Sequence, residues 1–269
     1  ESNYKGKSIF HLISGKDNSK DQSYFLCQLN QYQLSKTIFP IGSLTKKHVR
    51  KIAKDNNLIT AEKKDSQGLC FIGKVKLPDF LQQKLRPKKG DVVLIDKNHK
   101  EFVKNSDLND IESLSKPYCY DPKEGKIIGL HNGAHFYTIG QRKGLSIGGM
   151  EKPLYVINND VKKNIIYVGE GSNHPGLFRS VLRVSSKKIH FLSTEKQVMN
   201  KKELKARIRY RQGLQDVSVI KKDNFYYFKF KKPQKSITKG QFIALYQNME
   251  LICSGVIDWK YQFDFLLNP

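Results

Sequence analysis

A series of short strand-like segments after residue 90 limits the fold of this chain more than any other feature. Alternating or continuous apolar runs separated by Gly, Asn, Asp and Lys occupy residues 91–95, 126–130, 135–139, 153–158 and 164–168. The last third continues the pattern at residues 181–184, 204–210, 216–220, 225–230, 241–246 and 251–257. Several short strands joined by turn residues favour a small closed barrel or sandwich.

Helical signals are confined to the first 90 residues. Apolar side chains at helical spacing predict a helix over 22–33, with Phe25, Leu26 and Leu29 on its inner face. Thr45 is a good N-cap for a second helix that places Val49, Ile52 and Ala53 inward and ends at Asn56 and Asn57. Pro78 suits the first turn of a third helix, which Pro87 stops.

Length and composition narrow the class of protein. A chain of 269 residues is expected to hold more than one core. Its apolar runs are too short to cross a bilayer, and Glu1 to Leu12 lacks the core of a secretory signal. Because the chain starts at Glu1, we expect its N-terminus to result from removal of a preceding segment. Four scattered cysteines argue against structural zinc and a disulfide framework, and favour a reducing compartment, cytoplasm or organelle matrix.

The distribution of charge points to a polyanionic partner. The net charge is +23, and residues 183–235 contain 16 Lys or Arg against four Asp or Glu. Half of the excess charge therefore lies in a fifth of the chain, which a dispersed bias towards lysine codons does not explain. A concentrated basic region of this kind is typical of nucleic-acid binding.

The basic region contains a segment with alternating cations. If the segment 203–212 is extended as a strand, alternation puts Lys205, Arg207, Arg209 and Arg211 on one face. Guanidinium groups grip phosphate oxygens through two bonds, so this face suits an RNA backbone. The alternative is an exposed strand face whose charges serve only solubility.

Two further segments and a pair of histidines are chemically notable. Cys70 lies in a glycine-flanked segment with Lys63 and Lys64 upstream, and neighbouring cations lower a thiol pKa and favour the reactive thiolate. The alternative is an inert cysteine between core residues. Residues 137–149 combine glycines with Arg142 and Lys143, which suits phosphate binding or a tight connection between strands, although no nucleotide P-loop context is present. His131 and His135 are not in a helix, so no metal site is expected.

Together these motifs resemble the tRNA-specific 2-thiouridylases, which place sulfur on C2 of the wobble uridine. The matching stretches follow the family's order along nearly the whole chain: 20–26, 39–42, 65–73, 137–149, 207–212 and 240–241.

The resemblance implies roles for particular residues. It implies that Cys70 carries a persulfide whose terminal sulfur attacks C2 of the wobble uridine, position 34, after ATP has adenylated its oxygen. It implies tRNA contacts at Lys20, Asp21, Gln22, Arg209, Tyr210 and Gln241. It also implies an α+β fold with three domains: the end of an α/β adenylation domain with the cysteine segment (1–77), a β-rich central domain (78–180) and a C-terminal antiparallel β-barrel (181–262), followed by a tail (263–269).

The sequence also departs from the family. It lacks the Ser-Gly-Gly-x-Asp-Ser-type pyrophosphatase loop and a match to the family's second catalytic cysteine, a position that Cys27 does not match. Residues 97–122 form a longer connection than is usual. We therefore expect a sulfurtransferase whose ATP site lies outside this chain, so that the chain alone is inactive.

The resemblance further implies certain partners: tRNA, a persulfide sulfur donor in the form of a sulfur-relay protein or cysteine desulfurase, and possibly a separate ATP-binding chain. It implies a disulfide in the family's chemistry, no membrane partner, no metal and a monomer. Two alternatives stay open. One is a split or degenerate relative that only binds tRNA, with Cys70 idle, and the other is a ribosome-associated barrel that binds rRNA.

Overall fold

Strands separated by polar turns follow residue 90, as the sequence predicts, in a computed structural model that describes residues 1–4, 6–64, 85–104 and 110–259. The strands are β1 (Ser2–Tyr4), β2 (Lys7–Ile9), β3 (Leu12–Ile13), β4 (Gly90–Leu94), β5 (Lys126–His131), β6 (Leu154–Asp160), β7 (Ile165–Glu170), β8 (Phe178–Ser185), β9 (Ile189–Phe191), β10 (Lys205–Arg207), β11 (Gln215–Lys222), β12 (Phe225–Lys235), β13 (Phe242–Gln247) and β14 (Glu250–Val256). The helices are α1 (Gln31–Ser35), α2 (Lys46–Asp55), α3 (Lys100–Lys104), α4 (Ile111–Ser115) and α5 (Glu195–Met199). The expected α+β class with a barrel-like C-terminal part is confirmed.

The chain divides into two compact units, which we call unit A (residues 1–65, 182–232 and 239–269) and unit B (66–181 and 233–238). Eight strands form one sheet. Seven of them follow the order β3-β14-β13-β10-β11-β12-β8, and the eighth, β9, pairs with β14. The core of unit A packs β13 and β14 side chains against the segment before α1, through Leu12, Tyr24, Cys27, Leu34, Leu192, Ala244, Tyr246 and Leu251. That packing places the N-terminal loops directly on the barrel.

Unit B contains a four-stranded sheet in the order β5-β4-β7-β6, in which β4 and β7 run parallel. Alternation along β4 sends Val92 to one core and Val93 to another, so that both faces of the sheet are covered. The second core includes Tyr120 and Tyr167, and Phe102 from α3 packs against it. Within the expected long connection over 97–122, the residues that the structure describes form two short helices, α3 and α4.

Two predicted elements are wrong. Residues 23–28 form successive turns instead of a helix, and α1 starts only at Gln31, where Asn30 and Gln33 form a reciprocal capping box. The predicted strand at 135–139 is replaced by a 3₁₀ turn over Ala134–Phe136, which follows Gly133 at a positive φ of 137°. At 134–136 the local backbone geometry overrides the apolar spacing, whereas at 23–28 the turns are held by contacts with the barrel, such as the one from the Tyr24 hydroxyl to the Ile208 carbonyl oxygen.

The second helix is predicted correctly at its ends but not on its face. Thr45 caps α2 by accepting a hydrogen bond from the His48 amide, and Asn56 ends it. In the described part of the chain, however, no residue of α2 is buried, and Ile52 is 49% exposed.

The third predicted helix, which begins at Pro78, lies outside the described residues. None of the helices in the described ranges has the length and apolar character that crossing a bilayer demands.

Unit B contains a buried histidine that is held as the neutral imidazole. His174 Nδ1 accepts from the Gly176 amide at 3.2 Å, and Nε2 lies 3.1 Å from the Ile95 carbonyl oxygen, to which it donates. The ring lies so close to Gly169 that a Cβ there would stand 2.4 Å from the imidazole Cγ. Protonation of Nδ1 would break the bond from Gly176, and burial lowers the pKa of His174 below its ordinary 6.5.

We expect unit B to lose stability as the pH falls below about 6.5. The unfolded chain binds a proton near that pH, whereas the folded state resists it, so stability is retained above this value and declines below it. His131, whose pKa burial also lowers, adds to the effect. Thermal unfolding at pH 5.5 and 7.5 measures it, and His174→Gln should flatten the dependence. The exposed control His48→Gln should leave it unchanged; equal melting temperatures at both pH values would contradict the expectation.

Candidate nucleic-acid interface

The buried carboxylate of Asp21 holds the conformation of the loop that carries Lys20, Asp21 and Gln22. This residue is only 3% exposed. Its Oδ1 accepts from the backbone amides of Gly15 at 3.1 Å and Ser23 at 3.0 Å. Its Oδ2 accepts from Ser23 Oγ at 2.9 Å and from the Arg207 guanidinium at 2.8 Å. Asp21 therefore faces the barrel, and its contacts fix the backbone on which Lys20 and Gln22 lie.

Arg207 is the barrel's counterpart to this carboxylate. The guanidinium is buried with Asp21, and its carbon lies 4.7 Å from the centre of the Tyr246 ring. Because the Ser23 hydroxyl proton is directed to Asp21, the Tyr246 hydroxyl donates to Ser23 Oγ, 2.9 Å away. Burial raises the pKa of Tyr246 to about 12, so this donor stays protonated at neutral pH. The network joins β10 and β13 to the loop.

The expected row of cations on one strand face is wrong. β10 ends at Arg207, and the Gln212 side chain accepts from the Ile208 amide at 2.8 Å, which closes a turn instead of extending the strand. Lys205 is exposed beside Asp216, whereas Arg207 is buried. Arg211 lies in the turn with a φ of +63°. The four side chains therefore have different surroundings.

The turn after β10 meets the N-terminal loop through side chains. Gln22 Nε2 donates to the Tyr210 hydroxyl at 2.9 Å. The Tyr24 hydroxyl lies 2.9 Å from the Ile208 carbonyl oxygen and 3.1 Å from that of Phe242, the residue after Gln241. Three segments that are far apart in sequence thus meet on one side of unit A, and they carry Lys20, Gln22, Arg209, Tyr210 and Gln241.

The remaining predicted tRNA residues differ in exposure. Gln22 is exposed, Lys20 and Tyr210 are partly exposed, and Arg209 is half-buried, which lowers its pKa. The side-chain oxygen of Gln241 is shielded from solvent and accepts no hydrogen bond from the described residues. Cys70 lies outside the described residues.

The glycine-rich segment 137–149 forms a fixed connection in unit B. The Tyr137 hydroxyl donates to the Gly144 carbonyl oxygen at 3.1 Å, and the Gln141 side chain donates to that of Lys143 at 2.9 Å. Gly140, Gly144 and Gly149 have positive φ values, which explains the glycines without a ligand. Of the two hypotheses for this segment, the geometry therefore favours a tight connection between strands over phosphate binding.

Three cysteines lie within the described ranges, and they form no disulfide with one another. Cys27 and Cys253 are buried, and burial raises the pKa of both thiols. Cys119 is exposed, yet desolvation and the nearby Glu101 carboxylate raise its thiol pKa as well. None of the three has the cationic surroundings that favour a reactive thiolate.

Sequence reasoning missed one exposed residue of this surface and two buried residues beneath it. Phe25 was expected on the inner face of a helix but is 60% exposed beside Tyr210. Ser23 and Tyr246 complete the Asp21 network. Only the pairing of a loop near residue 20 with a strand near residue 245 reveals them, and no local pattern signals such a contact.

Comparison with known proteins identifies the family. Residues 2–74 match the family model described as "tRNA methyl transferase HUP domain", residues 108–170 match "tRNA methyl transferase PRC-barrel domain", and residues 181–257 match "Aminomethyltransferase beta-barrel domain". These three segments cover most of the chain in the order that the motifs predict.

Individual relatives carry a more specific name. The chain is 52% identical to the "tRNA-specific 2-thiouridylase MnmA" of Christiangramia forsetii and 52% to that of Flavobacterium johnsoniae, over 94% of its length in each case. It is 50% identical to the protein of the same name from Karelsulcia muelleri, over 96% of its length. The alignments span 66% of each relative, slightly less than two thirds. Identity at this level over almost the whole chain means that it belongs to the tRNA-specific 2-thiouridylase family.

Proposed function

We propose that this chain is the sulfur-transferring, tRNA-binding part of a tRNA 2-thiouridylase. The observation that carries the proposal is the meeting of Gln22, Tyr210 and the segment of Gln241 on one surface of unit A. The names of relatives that are half identical to the chain support the same activity. The proposed contacts with tRNA are made by Lys20, Gln22, Arg209, Tyr210 and Gln241, while Asp21 shapes the loop from beneath.

The proposed chemistry is a sulfur transfer from Cys70. The terminal sulfur of a persulfide on Cys70 attacks C2 of the adenylated wobble uridine, a C–S bond forms, and AMP leaves with the former C2 oxygen. A second thiol then attacks the Cys70 sulfur, which breaks the S–S bond, leaves sulfur on C2 and forms a disulfide. Cys27 and Cys253 are buried, and the exposed Cys119 has a thiol pKa that desolvation and the Glu101 carboxylate raise, so we assign the second thiol to none of these three.

Adenylation requires residues that this sequence does not supply. No Ser-Gly-Gly-x-Asp-Ser sequence occurs in it, so no residue of the chain is assigned to ATP. We propose that the chain binds tRNA but does not activate uridine by itself. Its expected partners are a persulfide donor and an ATP-binding portion, on the same or another polypeptide.

A binding and thiolation experiment tests this proposal. With ATP and a persulfide donor, the chain alone should bind tRNA yet form no 2-thiouridine. Binding should weaken steeply with salt, by about a thousand-fold or more between 50 and 200 mM if six or more phosphates are contacted. At moderate salt, tRNA should be preferred over rRNA fragments of equal length. Equal affinity for both would favour the rRNA-binding alternative, and robust product from the chain alone would refute the assignment of ATP binding to other residues.

The principal alternative is a module that only holds tRNA for a partner. The barrel surface supports this alternative equally, since it requires no thiol. The two proposals differ only in the need for Cys70, which a Cys70→Ser variant tests.

A further inference from the structure

Phe25 is a large aromatic side chain that points into solvent from a fixed backbone. It is 60% exposed, whereas its neighbours Ser23 and Tyr24 are buried. The Phe25 amide donates to the Gln22 carbonyl oxygen at 2.9 Å, and Tyr24 is bound to the barrel through its hydroxyl. The backbone that carries this ring is therefore preorganised, so a ligand that uses it incurs little ordering cost.

Phe25 and two residues of the turn after β10 form what we call the aromatic platform: Phe25, Tyr210 and Arg211. The Phe25 and Tyr210 ring centres lie 4.6 Å apart with an interplanar angle of 43°. The Arg211 guanidinium carbon is 5.1 Å from the centre of the Tyr210 ring. Gln22 orients the Tyr210 hydroxyl from the side. The turn at 23–28 and the turn after β10 thus present two aromatic rings and a cation side by side.

This combination suits one kind of occupant. A base in a double helix has both faces stacked on its neighbours, whereas an unpaired base has a face free to stack on an aromatic ring. The phosphates on either side of such a base are attracted to a guanidinium, and residues 183–235 supply a net excess of 12 positive charges. A protein partner would require the platform to be covered by apolar surface, which the Arg211 guanidinium beside the Tyr210 ring disfavours.

We infer that Phe25 is a base-stacking residue that receives an unpaired RNA base on the aromatic platform. The inference rests on the proposed function and adds to it a contact that recognises single-stranded RNA. It assigns a binding role to Phe25 and Arg211, beyond the residues that the resemblance implies. Tyr210 supports the Phe25 ring from one side, and Arg211 neutralises a flanking phosphate.

The test compares two RNA probes with the full chain. One is a hairpin with an unpaired loop that carries 2-aminopurine, and the other is a duplex of equal charge whose ends are closed by non-nucleotide linkers. We expect Phe25→Ala to weaken hairpin binding by about five- to one-hundred-fold and to reduce the 2-aminopurine quenching, because base–aromatic stacking is lost. Duplex binding should change by less than about twofold, and Phe25→Trp should restore hairpin binding.

Two further variants make the result specific. Tyr32→Ala removes another exposed aromatic ring of unit A, 72% exposed and in no ring contact among the described residues, and should leave both affinities unchanged. Arg211→Ala should weaken both probes and lower the salt slope by about one, since it removes a phosphate contact. The Phe25 side chain is exposed, so the variant should fold, which its melting curve verifies.

The outcomes separate the two proposals. If the wild-type chain binds neither probe, the proposed function itself fails. If it binds the hairpin and Phe25→Ala binds equally well with unchanged quenching, the platform inference alone is overturned. If Phe25→Ala loses affinity for the hairpin and the closed duplex to the same extent, the inference is also overturned. A closed duplex offers no unpaired base, so loss of stacking cannot weaken its binding.

Discussion

Replacing Arg207 with alanine is expected to lower the free energy of unfolding by about 3–5 kcal/mol. The substitution leaves the Asp21 carboxylate buried, at 3% exposure, without its opposite charge. A buried charge without a partner destabilises the folded state far more than the removal of both charges does. The Tyr246 ring also loses the guanidinium that lies over it. Chemical denaturation followed by circular dichroism measures the change.

The same strand offers a matched control. Lys205 lies two residues earlier, and its ammonium nitrogen is 3.7 Å from an Asp216 oxygen in an exposed pair. Lys205→Ala should therefore cost less than about 1 kcal/mol. The double variant Asp21→Asn with Arg207→Met should recover part of the stability lost by Arg207→Ala, since neither charge is then buried alone. Similar losses for Arg207→Ala and Lys205→Ala would show that the buried pair does not support the loop.

The consequence for RNA binding follows from the position of the pair. Asp21 fixes the amides of Gly15 and Ser23, and the loop between them carries Lys20 and Gln22. At a temperature where Arg207→Ala remains folded, tRNA affinity should still fall, because Gln22 no longer meets the Tyr210 hydroxyl in a fixed geometry. A stability loss with unchanged tRNA affinity would limit Arg207 to a structural role.

Replacing Cys70 with serine is expected to reduce thiolation by about 10⁴-fold or more, as removal of a covalent nucleophile typically does. Serine is close to cysteine in size and shape but cannot carry a persulfide. The other cysteines within the described ranges are poor substitutes, since burial raises the thiol pKa of Cys27 and Cys253, and desolvation with the nearby Glu101 carboxylate raises that of Cys119. The measurement is formation of 2-thiouridine by the chain fused to the part of the Flavobacterium johnsoniae relative that it does not span.

Cys119→Ser is the matched control for this measurement. Cys119 is an exposed thiol, so its replacement should disturb neither the core nor the activity. tRNA affinity should be equal in wild type, Cys70→Ser and Cys119→Ser, which separates chemistry from binding. If thiolation survives Cys70→Ser, Cys70 does not transfer sulfur, and the alternative that this chain only binds tRNA is the one supported.

Much of the β-structure is predictable from the sequence for a simple reason. Strand residues alternate between two faces, and the chain marks its turns with Gly, Asn and Asp, so the predicted runs at 91–95 and 216–220 fall within or next to β4 and β11. Helix ends are also local, and Thr45 and Asn56 bound α2 as predicted. The concentration of positive charge, likewise, is a property of the sequence alone.

Contacts between distant segments decided what the sequence could not. Apolar spacing predicted a helix over 22–33, but Asp21 accepts the Ser23 amide and Tyr24 binds the barrel, so turns replace it and Phe25 faces solvent. Alternation predicted one cationic face, but Gln212 closes a turn after Arg207 and Asp21 draws that guanidinium inward. The sequence determined the fold class, the family and the basic character of this chain. The tertiary structure alone decided which cations remain at the surface, because a carboxylate 186 residues away selects the one that is buried.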